Sequence, residues 1–402
     1  MTLTAALIKE LFKGFTVQRW NDKIRTVELI EMDKHAHKMF VAFILGKYKE
    51  LDGQNVNWDD IIKGGIFELL RRIVISDIKS PIFYKIRLDY PDTFRKLNEW
   101  VYEKIKDKIN NKEIEQEFYS YLFENDFLDP MSVKILEAAH IYASNWEFQK
   151  IIKHSNPDGY QINEIERDLL ASIDKHMDLT GMQKLITRRP ISDFIDLCGQ
   201  LRFQIRWSQT PRLPKTSVLG HSLFVAIMSY FFARDNQACN KRLYNDFFGG
   251  LFHDLPEAVT RDIISPVKMS SVEFTELVQN IEADLADKEI MPLLEEEWRD
   301  EIQYFTRDEF SNKISSDGRV QNIDSVDIIN ENFNKDKFNP IDGNLIKAAD
   351  RLAAFIEAWE SVGLGIRSEE LVAAIRSIKD KFGNEKIANI DMSSIYSDFM
   401  TD

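Results

Sequence analysis

The sequence predicts an all-α chain made of two tandem helical units, on three observations. Residues 64–82, GGIFELLRRIVISDIKSPI, and residues 249–267, GGLFHDLPEAVTRDIISPV, match without a gap at nine of nineteen positions, so one segment is written twice. After His37 come Phe40, Val41, Ile44, Leu45 and Tyr48, and after His221 come Phe224, Val225, Met228, Phe231 and Phe232. Both sets follow the i, i+3, i+4, i+7 stripe of a one-sided apolar helix. A convincing pair of strands joined by a hairpin turn is absent.

Taken in order, the first copy opens with Arg19-Trp20 and the helix carrying His37. It continues through the 64–82 segment and a charged amphipathic helix from Glu99 to Ile109, and closes on Ala138-Ala139-His140. The second copy repeats that order: Arg206-Trp207, then His221-Ser-Leu-Phe-Val-Ala against His37-Lys-Met-Phe-Val-Ala, then 249–267, a helix from Val278 to Ile290, and Ala348-Ala349-Asp350. Between them His154 to Gly159 is a turn cluster, Gln161 to Ile186 reads as one or two connecting helices, and Arg188-Arg189-Pro190 punctuates the chain. Domains are therefore expected at 1–186 and 187–402. The polar stretch from Asn312 to Asn344, with Asp317-Gly318 and Asn339-Pro340, reads as a surface excursion without a counterpart in the first copy.

Composition narrows the functional classes. At 402 residues the chain is long enough for two domains with a core each. Its 52 basic and 66 acidic residues give a formal charge of −14, which argues against a broad nucleic-acid-binding face, so an anionic substrate needs positive charge supplied locally by a metal or an arginine. Cys198 and Cys239 match no zinc spacing and no disulfide framework. With neither a signal peptide nor an apolar run of spanning length, the expectation is a cytoplasmic protein without a membrane segment.

The chemistry is expected in the second copy. His221, His253-Asp254 and Asp350 supply two imidazoles and two carboxylates, a donor set suited to one divalent ion such as Mn, Fe, Co, Ni or Zn. If His253 and Asp254 lie on a helix, Glu257 at i+4 and i+3 shares their face, one turn from the metal and placed for proton transfer. Asp350 lies among Ile346, Ala353 and Ala354, where a lone carboxylate would be costly and ligation removes the cost.

These blocks resemble the HD-domain metal-dependent phosphohydrolases, and within them the bacterial 5'-deoxynucleotidases of the YfbR type. The likeness runs from about Phe194 to Gly363. It is carried by Leu201-Arg-Phe-Gln-Ile-Arg206-Trp207, the His221 block, His253-Asp254-Leu-Pro-Glu257-Ala-Val-Thr260-Arg-Asp262-Ile-Ile-Ser265-Pro-Val-Lys268, and Lys347-Ala-Ala-Asp350-Arg-Leu-Ala-Ala-Phe. The resemblance implies an all-helical HD bundle, often dimeric, with His221, His253, Asp254 and Asp350 holding the metal. It implies Glu257 and Asp262 as catalytic carboxylates, Glu257 in proton transfer, and Arg206, Trp207 and Ser265 lining the nucleotide site with Asp262. Lys268 is expected to be a loop contact. Two departures stand out: Gly220 where relatives carry an acidic residue before the first histidine, and Arg261 where they carry a small one.

The implied activity is removal of phosphate from nucleoside monophosphates by metal-activated water. The alternatives are HD chemistry on nucleoside triphosphates, cyclic nucleotides or phosphodiesters, and a non-catalytic nucleotide sensor. In the first copy His37 is paired with His221, but Glu68, Leu69, His140 and Arg72 stand at the other ligand and catalytic positions, so that copy is expected to be metal-free. A duplicated chain of this kind is expected to pack as an internal pseudo-dimer, with further homo-oligomers open.

Overall fold

The structure is a computed structural model, and it describes residues 1–76, 78–261, 271–316 and 318–400. These fall into two compact units, Met1–Met177 and Asp178–Asp402. The fold is all-α with small strand pieces. Among the described residues no helix is long and apolar enough to cross a membrane.

The first unit contains α1 (Ala5–Phe12), α2 (Glu31–Leu51), α3 (Trp58–Val74), α4 (Ser80–Asp89), α5 (Pro91–Ile105), α6 (Lys112–Phe123), α7 (Pro130–Glu147) and α8 (Ile162–Asp174). Its centre is α2 packed on α3 and α7. The start of α7 shows why helices begin where they do: Asp129 accepts from the free amides of Met131 and Ser132, and Pro130, which lacks an amide to satisfy, takes the first helical position.

The second unit contains α9 (Thr180–Ile186), α10 (Pro190–Gln200), α11 (Val218–Asp235), α12 (Asn240–Phe252), α13 (Glu257–Thr260), α14 (Val272–Leu285), α15 (Glu296–Thr306), β1 (Asn312–Ser316), β2 (Arg319–Asn322), β3 (Ile341–Asp342), α16 (Gly343–Gly363), α17 (Glu369–Phe382) and α18 (Met392–Met400). Helix α11 is buried over nearly its whole length between α12 and α16. The Gly249-Gly250 pair permits this. A Cβ on Gly250 would lie 2.8 Å from the Cα of Ala226, so α12 reaches backbone contact with α11 only without that side chain, and one on Gly249 would lie 2.7 Å from Ile341 Cδ1 of β3.

Three sequence expectations are corrected. The stretch 312–344 is not all irregular excursion, and strand pairing does occur. β1 pairs antiparallel with β2 (Ile314 opposite Gln321) and with β3 (Lys313 opposite Ile341), in the order β2-β1-β3. The alternation that would reveal it is missing because β2 is exposed along its length, while on β1 Asn312, Lys313 and Ile314 are buried in succession and Ile314, its one apolar residue, packs on Ile323 and Ile329.

The second correction concerns His253, Asp254 and Glu257, which do not share one continuous helix. Helix α12 ends at Phe252, and three-residue turns follow, with amides of Leu255, Glu257 and Ala258 donating to the carbonyls of Phe252, Asp254 and Leu255. Pro256 has no amide to give to Phe252, which interrupts the four-residue ladder.

The third is a register. His221 is the fourth residue of α11, and the fourth residue of α2 is Lys34, with His37 three places later. The segments before both helices agree with this. Arg19 N donates to Leu29 O and Arg206 N to Thr216 O, Glu31 N donates to Val17 O and Val218 N to Gln204 O, and bridges join Gln18 to Ile30 and Ile205 to Ser217. Gly65 of α3 abuts Met39 just as Gly250 abuts Ala226, which gives the same shift. His37 instead packs edge-on against Trp146, ring centroids 5.1 Å apart.

Candidate metal centre

Three helices of the second unit bring the polar groups together. His221 enters from the first turn of α11, where the Ser217 hydroxyl caps the amide of Gly220. His253 and Asp254 enter from the turn that ends α12, and Asp350 from the middle of α16. One donor atom each from His221, His253 and Asp254 lies within 4.8 Å of the others. Asp350 Oδ1 lies 3.0 Å from His221 Nε2, and Asp254 Oδ2 lies 3.1 Å from His253 Nε2 and 3.8 Å from His221 Nε2.

The donor chemistry fits a divalent cation. His253 Nδ1 is 2.8 Å from the Gly250 carbonyl, which only accepts, so Nδ1 carries the proton and Nε2 presents its lone pair to the cluster. His253 Nε2 and Asp254 Oδ2 are buried and make no hydrogen bond, a costly condition that a shared metal relieves. In the ion's absence the charges answer each other. Burial opposes an imidazolium, but the Asp254 carboxylate outweighs it and raises His253 to about 9. Burial likewise opposes the carboxylate of Asp254, yet His253 holds it low, and Asp350 is held low by its hydrogen bond to His221.

Arg206 faces this cluster, and Trp207 follows it in the chain. Arg206 Nη1 is 3.7 Å from Asp254 Oδ2 and Nη2 is 3.9 Å from Asp350 Oδ1. Trp207 has φ 59°, a conformation a bulky side chain seldom adopts, and its indole is anchored by donating to Glu357 Oε2 at 2.7 Å. Glu257 is 8% exposed and starts α13, its carbonyl accepting from Gln204 Nε2 at 2.9 Å. Arg261, the second departure from the family pattern, has φ 68° and ψ 157°, a region that glycine alone occupies freely. Asp262, Ser265 and Lys268 lie outside the described residues.

The residue that sequence reasoning missed is Glu357. It is fully buried on α16, seven residues and thus two turns after Asp350, on the same face. Its carboxylate accepts from Trp207 Nε1 and from Thr216 Oγ1 (2.8 Å), faces Arg206 Nε at 3.4 Å, and lies 3.5 Å from His221 Nδ1. Burial disfavours its charge, but Arg206 and Arg212 hold its pKa well below the ordinary range. One carboxylate thus faces a metal-type histidine while it holds the arginine and the tryptophan.

Residues 198–379 match the model of the HD domain. The second unit carries an HD domain. A 5'-deoxynucleotidase of Vibrio atlanticus is 22% identical over 203 residues, which cover 50% of this chain and 89% of that protein. Among the described residues, the metal-type group is His221, His253 and Asp254 of this HD domain, a metal-dependent phosphohydrolase domain.

The first unit has the same brace around a different centre. Trp20, at φ 53°, donates to buried Glu147 at 2.9 Å, and Glu147 follows His140 by seven residues as Glu357 follows Asp350. Arg19 bridges Glu147 and Glu31 at 3.0 and 2.9 Å. Where the HD domain gathers metal donors, this unit gathers ammonium groups. Lys34 Nζ lies 2.5 Å from His140 Nδ1, and Lys38 pairs with Glu68. His140 Nδ1 is also 3.2 Å from Glu68 Oε1, but one nitrogen cannot both accept from Lys34 and donate to Glu68, and the shorter contact takes its lone pair.

Proposed function

We propose that the HD domain removes the phosphate from nucleoside monophosphates, deoxynucleotides among them, and that the first unit is a degenerate copy that does not hydrolyse. The observation that carries this reading is the convergence of His221, His253 and Asp254 beneath the guanidinium of Arg206. The Vibrio relative, by its name, acts on deoxynucleotides, which supports the substrate class.

His221, His253, Asp254 and Asp350 are the residues that would hold the metal. A divalent ion there supplies Lewis acidity and a hydroxide equivalent at neutral pH. Arg206 Nη1 and Nη2 face the cluster, and a guanidinium there can make two parallel hydrogen bonds to a phosphate that lysine could not reproduce. Glu257, one short turn from Asp254, positions water or protonates the leaving nucleoside oxygen. Trp207, fixed by Glu357, presents a flat indole to sugar or base. In the first unit Leu69 has no donor atom, Arg72 stands where the HD domain has Glu257, and Lys38 pairs with Glu68, so no divalent ion is expected there.

The test is metal analysis of the purified chain followed by a panel of nucleoside monophosphates, triphosphates and cyclic nucleotides with phosphate detection. Bound metal with release of phosphate from monophosphates supports the reading. Pyrophosphate or triphosphate release assigns a different HD chemistry, and a metal-free chain that only binds nucleotides assigns a sensor.

A further inference from the structure

The first unit contains a cavity of about 180 Å³ that the proposed hydrolysis does not use. It opens between α3, α4, α6 and α7, and its floor includes Glu68 and His140, the residues beside the two lysines. Its wall is aromatic, with Phe83, Tyr84, Phe94, Tyr121 and Phe127. Arg71, Arg72 and Arg87 also line it.

These three arginines are not equivalent. Arg72 is engaged, donating to the Ile78 carbonyl at 3.0 Å with Nε 3.8 Å from Glu31. Arg87 is exposed at the rim. Arg71 has its guanidinium carbon 5.2 Å from the Phe83 ring and 5.1 Å from the Tyr121 ring, and its Nε is buried without a hydrogen bond. A guanidinium whose plane is fixed between aromatic faces, with a second arginine on the same cavity, suits a ligand that carries both a ring and an anion. The carboxylate of Glu68 does not oppose an anion, because Lys38 pairs with it and Lys34 lies close by. Glu124 and Glu137 are exposed, where water and salt screen them.

We propose that this cavity is a second ligand site, which takes an aromatic phosphate of the nucleoside monophosphate type and holds it uncleaved. The ring lies among the aromatic side chains and the phosphate on Arg71 and Arg87. The choice of a nucleotide rests on the reading of the HD domain, whereas the requirement for a ring and an anion together rests on the cavity alone.

Equilibrium dialysis of the full metal-free chain, with deoxyadenosine monophosphate, deoxyadenosine and inorganic phosphate as probes, tests it. The Arg206→Ala chain, in which the HD domain's phosphate contact is lost, is expected to keep one equivalent of the monophosphate, with nucleoside and phosphate at least 10-fold weaker. Adding Arg71→Met, which keeps the aliphatic packing, is expected to weaken that equivalent at least 10-fold. Adding the exposed change Arg87→Gln instead is expected to weaken it several-fold, without a folding risk. Loss of all binding in Arg206→Ala, or binding indifferent to both the Arg71 and Arg87 changes, overturns the proposal. Phosphate release is read separately. A chain that hydrolyses but whose Arg206→Ala form binds no monophosphate refutes only the cavity, and a chain that does not hydrolyse yet binds through Arg71 refutes only the HD-domain reading.

Discussion

Glu357→Gln is the perturbation that most sharply separates this structure from a metal site defined by its ligands alone. The amide keeps the size, but its single oxygen can replace only one of the two that accept from Trp207 and Thr216, and the charge facing Arg206 and His221 is gone. A hydrogen bond to a charged group contributes about 1.5–3 kcal/mol, and removing one partner of a buried ion pair costs about 3–5 kcal/mol. Here Asp254 and Asp350, 3.7 and 3.9 Å from Arg206, still compensate the guanidinium, which puts the expected loss of stability near the lower range, at about 2–3 kcal/mol. Partners of a ligating histidine typically contribute 10–100-fold to metal affinity, so metal binding should weaken by about that factor, or about 1.4–2.7 kcal/mol. Competition with a chelating dye gives the metal affinity and denaturant unfolding gives the stability. Glu357→Gln with unchanged metal affinity and unchanged stability would refute the assignment of Glu357 as the organiser of the site.

Four further outcomes follow from the geometry. Asp254→Ala should abolish both bound metal and phosphate release, whereas His37→Ala should leave turnover nearly intact; equal losses would contradict the division between the two units. Glu257→Gln should retain metal while turnover falls about 10²-fold or more, the range of proton-transfer catalysts, and loss of metal with activity would make Glu257 a ligand. Gly250→Val places a side chain 2.8 Å from the Ala226 backbone, so it should destabilise the HD domain by about 3 kcal/mol or more, read by denaturant unfolding, and lower its metal content; a neutral effect would contradict the close helix approach. Burial pushes Lys34 down from 10.5 to about 7, so between those values the unfolded chain binds a proton that the folded one does not. Stability of the first unit should therefore rise with pH through that window, by at most about 1.4 kcal/mol per pH unit from this group, with no contribution to the slope below it. Lys34→Met should flatten the rise in denaturant titrations at fixed pH, and an unchanged slope would show that Lys34 does not titrate there.

The sequence made the second unit legible because its metal-type residues fall in three separated blocks, each on strongly apolar helical surroundings. It misled at His37 for a physical reason. A buried helix such as α2 or α11 presents apolar residues at every third or fourth place, so a shift of three residues preserves the pattern, and the shared Phe-Val-Ala favoured the wrong one. The register is set by the turn before the helix, where Arg19 and Arg206 make equivalent backbone bonds, and that information is not periodic. Glu357 was readable in principle: it lies two turns after Asp350 in the otherwise apolar Phe355-Ile356-Glu357-Ala358-Trp359, and Glu147 repeats the spacing from His140. The small sheet was not readable, since one inward isoleucine on β1 leaves no alternation to detect.

The most direct test of the account is the metal content and phosphate release of the full chain beside its His221→Ala and Asp254→Ala forms, measured on the same preparations. The account predicts one equivalent of a divalent transition metal in the unaltered chain, phosphate release from a nucleoside monophosphate, and the loss of both in each variant. Full metal occupancy in the two variants, or undiminished phosphate release without metal, would contradict it.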